Sequence, residues 1–179
     1  MKNEKLIIIG GSGSGKDYLR RKIMTKDLVG CIKTTTRPKR ENEVQSISYD
    51  FITDLSFKEM IENDKFICYQ IFNVTPKYKD SEIWYYGITK EEFDRSQVLI
   101  MTPDEFKQID KQQRKECFVV YLDIDRSIRE KRISNRNDDN DSVKRRLDSD
   151  DNDFKDFKDY DLRVSDADFS YEDVYDLMD

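Results

Sequence analysis

The stretch Leu6-Ile7-Ile8-Ile9-Gly10-Gly11-Ser12-Gly13-Ser14-Gly15-Lys16-Asp17 decides the fold. Four aliphatic residues in a row, without polar alternation, describe a strand covered on both faces, as in a parallel sheet. The glycines end it. The spacing Gly-x-x-x-x-Gly-Lys then predicts a phosphate-binding loop that opens a helix running from Gly15 to about Thr25. Glycines let the backbone turn its amides inward, and those amides with the helix N-terminus hold phosphate oxygens. Gly11, Ser12, Gly13, Ser14, Gly15, Lys16 and Asp17 are therefore the expected contacts of a nucleoside triphosphate, with Lys16 at the terminal phosphates. ATP with Mg2+ is the expected ligand pair. A serine or threonine usually follows the lysine and helps hold the metal. Here Asp17 stands there, a carboxylate able to ligate magnesium but facing a polyphosphate.

Outward from the loop, strands and helices alternate. Val29 to Thr36 reads as a second strand and Tyr49-Asp50-Phe51-Ile52-Thr53 as a short third. Asp54 or Ser56 is expected to cap a helix running to about Asn63. Phe66 to Phe72 is strand-like, and the polar stretch from Asn73 to Glu82 reads as a loop or hairpin. Thr89-Lys90-Glu91-Glu92 has the form of a capping box. Val98 to Met101 and Phe118 to Leu122 are buried-strand candidates, with Pro103 between them at a first helical position. A charged helix is expected from Asp125 to Asn135, a mobile loop over Asn137 to Asp141, and a basic helix through Leu147. Leu162-Arg163-Val164 gives a last short strand, and Ser170 caps a terminal helix. This order implies one α/β domain with a parallel sheet flanked by helices.

Composition narrows the chemistry. The 179 residues are 39% charged with a net charge of −6, which argues against general binding to polymeric nucleic acid. Histidine is absent, so imidazole-based nucleophile systems and zinc sites are excluded. Cys31, Cys68 and Cys117 lie far apart with no metal-ligand spacing, the pattern of reduced thiols in a cytoplasmic protein. No apolar stretch approaches membrane-spanning length, and the run after Met1 is too short for a signal peptide. A soluble monomer or homodimer is expected.

Two further segments carry a resemblance. Thr34-Thr35-Thr36-Arg37-Pro38-Lys39-Arg40-Glu41-Asn42-Glu43, continuing to Tyr49-Asp50-Phe51, resembles the Thr-Thr-Arg-x-x-Arg…Glu…Asp-Tyr-x-Phe stretch of guanylate kinases. Tyr85-Tyr86-Gly87 is similar to that family's Tyr-Tyr-Gly, and the phosphate loop to its Gly-Pro-Ser-Gly-x-Gly-Lys. Lys131-Arg132-Ile133-Ser134-Asn135-Arg136 and Lys144-Arg145-Arg146-Leu147 look like its lid arginines. The resemblance runs from about Lys5 to Phe169 and implies a P-loop NTPase-type fold. It divides the chain into a core (1–36, 89–135, 148–179), an inserted nucleoside-monophosphate-binding subdomain (37–88) and a lid (136–147).

That resemblance implies an ATP-dependent nucleoside monophosphate kinase acting on small nucleotides. Arg37, Arg40, Tyr49 and Tyr86 match the residues that grip the acceptor phosphate, where guanidinium forks and phenol hydroxyls suit the ligand. Lys16, Arg132, Arg136 and Arg146 would stabilise the phosphoryl group in transit.

The chain departs from the family where guanine is read. Lys33, Cys68 and Ile88 occupy the positions of a serine, a glutamate and a second serine. A thiol hardly accepts the two guanine N–H donors that a carboxylate accepts well, so altered base choice is expected. Gln70, on the same strand face as Cys68, is the candidate replacement reader. Only Asp104 stands near the place of the family's Asp-x-Asp, displaced by one position. Two other readings share the fold: a catalytically degenerate protein-interaction module, and a phosphotransferase with a non-nucleotide acceptor.

Overall fold

The computed structural model describes residues 4–74, 81–135 and 142–178. Two four-stranded sheets organise it. The first has β1 (Lys5–Gly10) inside, between β6 (Val98–Met101) and β7 (Cys117–Leu122), with β8 (Leu162–Val164) beyond β7. All of its pairings are parallel, with Ile7 opposite both Leu99 and Val119. The aliphatic run dictates this place. Leu6 and Ile8 join one buried cluster with Leu19 and Ile23, while Ile7 and Ile9 join another with Leu99 and Met101. Each such side chain contributes about 1.5–3 kcal/mol on burial, and only an interior strand buries both of its faces.

The second sheet orders β3 (Asp50–Phe51), β2 (Thr34–Thr35), β5 (Glu82–Thr89) and β4 (Phe66–Val74). β4 and β5 form a long antiparallel hairpin that keeps pairing out to Val74 opposite Glu82. The polar stretch from Asn73 to Glu82 is thus a hairpin whose strands reach into it, with residues 75–80 outside the described set. Gly87 lies on β5 because nothing larger fits: a Cβ there would come within 2.6 Å of the Phe66 ring.

The single strand expected over Val29 to Thr36 is not formed. Gly30 bridges to Val98 of the first sheet, whereas Thr34 and Thr35 pair with Gly87 and Tyr86 of the second. The segment crosses from one sheet to the other, so no single ladder accommodates it, and Lys33 falls in the crossing. Capping also differs from expectation at α2 (Asp54–Glu62), where Thr53 rather than Asp54 or Ser56 is the cap, accepting from Ser56 N–H. The remaining helices are α1 (Lys16–Ile23), α3 (Lys90–Arg95), α4 (Pro103–Gln108), α5 (Lys111–Arg114), α6 (Arg126–Ser134), α7 (Val143–Phe154) and α8 (Tyr171–Tyr175). Thr102 and Glu105 make a complete capping box on α4, with Pro103 in its first turn. Helix α7 runs nearly two turns past Leu147, farther than the basic segment alone indicates. Among the described residues, no helix is long and apolar enough to cross a membrane.

Candidate functional site

The phosphate loop closes as its glycines require. Gly13 and Gly15 take left-handed backbone angles, φ 76° and 102°, which side-chain-bearing residues adopt only with strain. The Lys16 ammonium donates to the carbonyls of Gly10 and Gly11, 2.7 Å each, and so lies across the loop. Ser14 is wholly buried, and its hydroxyl has no hydrogen-bond partner among the described residues. Asp17 is exposed in the first turn of α1.

A cavity of about 560 Å³ opens between the two sheets. Ser12, Lys16 and Asp17 line it, and so do Arg37, Arg40, Tyr49 and Tyr86. Arg145 and Arg146, from the first turn of α7, line it too, beside Lys16. Arg145 was not singled out from the sequence, though the basic run Lys144-Arg145-Arg146 was the signal for it.

In the acceptor cluster, Arg37 is buried at 4% exposure and grips Glu43 with both terminal nitrogens, at 2.9 and 2.7 Å. Burial opposes its charge, but the Glu43 carboxylate outweighs that and holds the Arg37 pKa above its ordinary value. The partner responds in kind. Burial works to raise the Glu43 carboxyl, yet the Arg37 hydrogen bonds bring it below its ordinary value. The guanidinium fork is thus presented with an oxyanion already in it, which is the geometry phosphate needs. Tyr49 and Tyr86 meet edge to face at 6.1 Å, and burial raises both phenols, so they are neutral hydroxyl donors.

Of the three positions expected to read a base, only Lys33 lines the cavity. Cys68 and Ile88 are sealed in the core at 1% and 0% exposure. Burial pushes the Cys68 thiol well up, so it carries no charge. Lys33 binds both oxygens of Glu105, 2.7 and 2.6 Å, and Glu105 is 1% exposed. Burial alone would lower the Lys33 pKa, but Glu105 reverses this and leaves it raised. Glu105 also accepts the Thr102 N–H at 2.8 Å, and Thr102 Oγ1 donates to Gln70 Oε1 at 2.8 Å. Gln70 consequently braces Thr102 from behind and does not line the cavity.

Arg132 donates to Gly13 O at 3.3 Å and to Ala167 O at 2.9 Å, bracing the phosphate loop from the outside. It does not line the cavity, so its expected place against the transferring group is not where the structure puts it. Arg136 and the loop from Asn137 to Asp141 lie outside the described residues. Arg129 was missed by sequence reasoning. Buried on α6, it reaches Asp150, Asp151 and the Ile124 carbonyl at 3.0 Å each. Nothing in its charged surroundings in sequence separates it from its neighbours.

As to magnesium, no group of three Asp, Glu, Cys or His side chains is arranged to hold a metal ion among the described residues. Magnesium in such sites commonly takes one or two carboxylates, with water and substrate phosphates supplying the rest. Asp17, on the cavity wall one residue after Lys16, fits that donor set.

A glycine-built phosphate loop at the end of a strand in a parallel sheet, with helices on both faces, makes this a P-loop α/β protein. Its relatives narrow the class. The family model for guanylate kinase matches residues 2–179. The chain is 33% identical to the guanylate kinase of Rickettsia felis, over 94% of its length and 89% of the relative's. It is 28% identical to that of Francisella tularensis strain FSC 198, over 99% and 88%. The crystal structure of guanylate kinase from Anaplasma phagocytophilum shares the fold with a TM-score of 0.63 at 14% identity, covering 99% of this chain and 84% of that one. The chain belongs to the guanylate kinase family.

Proposed function

We propose that this protein transfers the γ-phosphoryl group of ATP to a (deoxy)nucleoside monophosphate, with a base preference shifted away from guanine. One observation supports the transfer above the others. A single cavity is lined by Lys16 and Ser12 of the phosphate loop, by the Arg37, Arg40, Tyr49, Tyr86 cluster, and by Arg145 and Arg146. A donor phosphate and an acceptor phosphate can therefore meet in one space.

The chemistry asks little covalent work of the protein. An acceptor phosphate oxygen attacks the γ-phosphorus in line while the bond to the ADP oxygen breaks, and no enzyme intermediate forms. Charge spreads over the equatorial oxygens, so cations placed there are worth most. Lys16 and Arg146 are the residues we assign to that role, with Arg145 beside them. Arg37 exchanges Glu43 for the acceptor phosphate, and Arg40, Tyr49 and Tyr86 complete the grip. Asp17 would help hold magnesium, which when bound would neutralise charge at the transferring group.

The shift in base preference rests on Cys68 and Ile88 being buried and on the fate of the nearest carboxylate. Glu105 already accepts two bonds from Lys33 and one from Thr102, most of its acceptor capacity. Unmade hydrogen bonds to buried polar groups cost about 1–3 kcal/mol each, enough to lower guanine discrimination by orders of magnitude. Catalytic efficiency measured across the common ribo- and deoxyribonucleoside monophosphates should favour a base other than guanine. A clear preference for GMP or dGMP would overturn the base assignment and leave the phosphoryl transfer standing.

A further inference from the structure

The phosphate loop holds a carboxylate of its own chain. Asp150 Oδ2 accepts the Ser12 N–H at 2.7 Å and an Arg129 Nη1–H at 3.0 Å. Asp150 is on α7 and only 16% exposed, while Arg129 is on α6 and buried. One oxygen therefore joins three elements: the phosphate loop, α6 and α7. The charge that Asp150 brings towards an anion-binding loop is balanced by the guanidinium on the same oxygen.

Helical spacing gives this contact a consequence for the site. Asp150 and Arg146 are four residues apart on α7, so they lie on one face with a rise of about 6 Å between them. Arg146 lines the cavity beside Lys16. A helix fixed to the loop at Asp150 carries Arg146 to a set height above that loop. We propose that Asp150 is a positioning residue, a latch that docks α7 on the phosphate loop through Ser12 N–H and so places Arg146 against the phosphoryl group in transit. The latch rests on the kinase reading only for its effect on turnover. The docking itself is a property of the nucleotide-free chain.

The substitutions follow from the single shared oxygen. Asparagine can present its carbonyl where Oδ2 stands and keep both hydrogen bonds, whereas alanine keeps neither. Asp150→Ala should lower kcat about tenfold or more with KM for both nucleotides changed less than about threefold, because misplacing a catalytic group by an ångström costs rates of this order. Asp150→Asn should stay within about threefold of the natural chain. In an Arg146→Ala background, Asp150→Ala should change the rate less than about twofold, since residues acting as a unit are not additive.

Hydrogen exchange at the Ser12 amide, in the nucleotide-free protein, gives a readout independent of activity. It should accelerate in Asp150→Ala and stay protected in Asp150→Asn. Unchanged turnover in the alanine variant, or an undiminished loss in the Arg146→Ala background, overturns the proposal. If the alanine variant does not fold, a tenfold loss in Asp150→Asn overturns it instead. If the natural chain phosphorylates no nucleotide at all, the kinase reading fails, and unaltered Ser12 exchange in Asp150→Ala is then what overturns the latch.

Discussion

Lys16→Ala should lower phosphoryl transfer by about 10³-fold or more while the protein keeps its fold. Removal of a single charge-stabilising donor costs two to three orders of magnitude in comparable sites, and cations on a transferring phosphoryl group are worth more. The Lys16 ammonium donates to the loop carbonyls of Gly10 and Gly11, and Lys16 takes no part in the hydrophobic core clusters. Its loss therefore acts on the ligand more than on the core. Steady-state kinetics with a thermal melt on the same sample checks this. Turnover within tenfold of the natural chain, at an unchanged melting temperature, would remove Lys16 from the mechanism.

Glu105→Ala should cost about 1–3 kcal/mol of stability, because it strands the Lys33 ammonium, which is only 15% exposed. The alanine also removes the carboxylate that accepts Thr102 N–H in the α4 capping box, a loss of about 1 kcal/mol by itself. The double variant Lys33→Met with Glu105→Leu should recover most of the loss, since an apolar pair of similar volume often matches a buried ion pair. Urea unfolding of the three proteins decides it. A cost below about 1 kcal/mol for Glu105→Ala would mean that the cavity solvates Lys33 well enough without its partner. The pair should be indifferent to pH near neutrality. Lys33 has a raised folded pKa, so its contribution is fully present below the ordinary lysine value of 10.5 and is lost only as pH rises through the folded value.

The two predictions differ in how far the sequence alone supports them. The phosphate loop was legible because its chemistry is local: an aliphatic run, spaced glycines and a lysine within a dozen residues. The parallel sheet followed from the same run, since nothing but an interior strand buries both faces of Leu6 to Ile9. The Lys33–Glu105 pair was not legible. Its members are 72 positions apart, and strand pattern says nothing of which helix start will face a crossing segment. The same holds for Asp150 and Ser12, 138 apart. Val29 to Thr36 misled for a related reason, because β-propensity marks extended chain without naming the sheet it joins. Strand β5 had a signal that went unused, the aromatic run Trp84-Tyr85-Tyr86, overshadowed by the polar residues before it. Gln70 was placed on the correct face of β4, yet Thr102 captured its carbonyl, a tertiary contact that alternation does not reveal.

The acceptor cluster shows what resemblance adds to local chemistry. Arg37 and Arg40 in a polar segment read equally well as solvated surface charges. Burial of Arg37 at 4%, held by Glu43 beneath two tyrosines, is the feature that separates a phosphate grip from a surface pair. Glu43 stands in for phosphate oxygens there.

The measurement closest to the central claim follows the terminal phosphoryl group. ATP labelled at its γ-phosphate is incubated with magnesium, the protein and each nucleoside monophosphate in turn, and the labelled products are separated. The account predicts label on a nucleoside diphosphate for at least one acceptor, formed one for one with ADP, and little ADP when no acceptor is present. ATP consumed with the label released only as inorganic phosphate for every acceptor, or ATP left intact throughout, would contradict it.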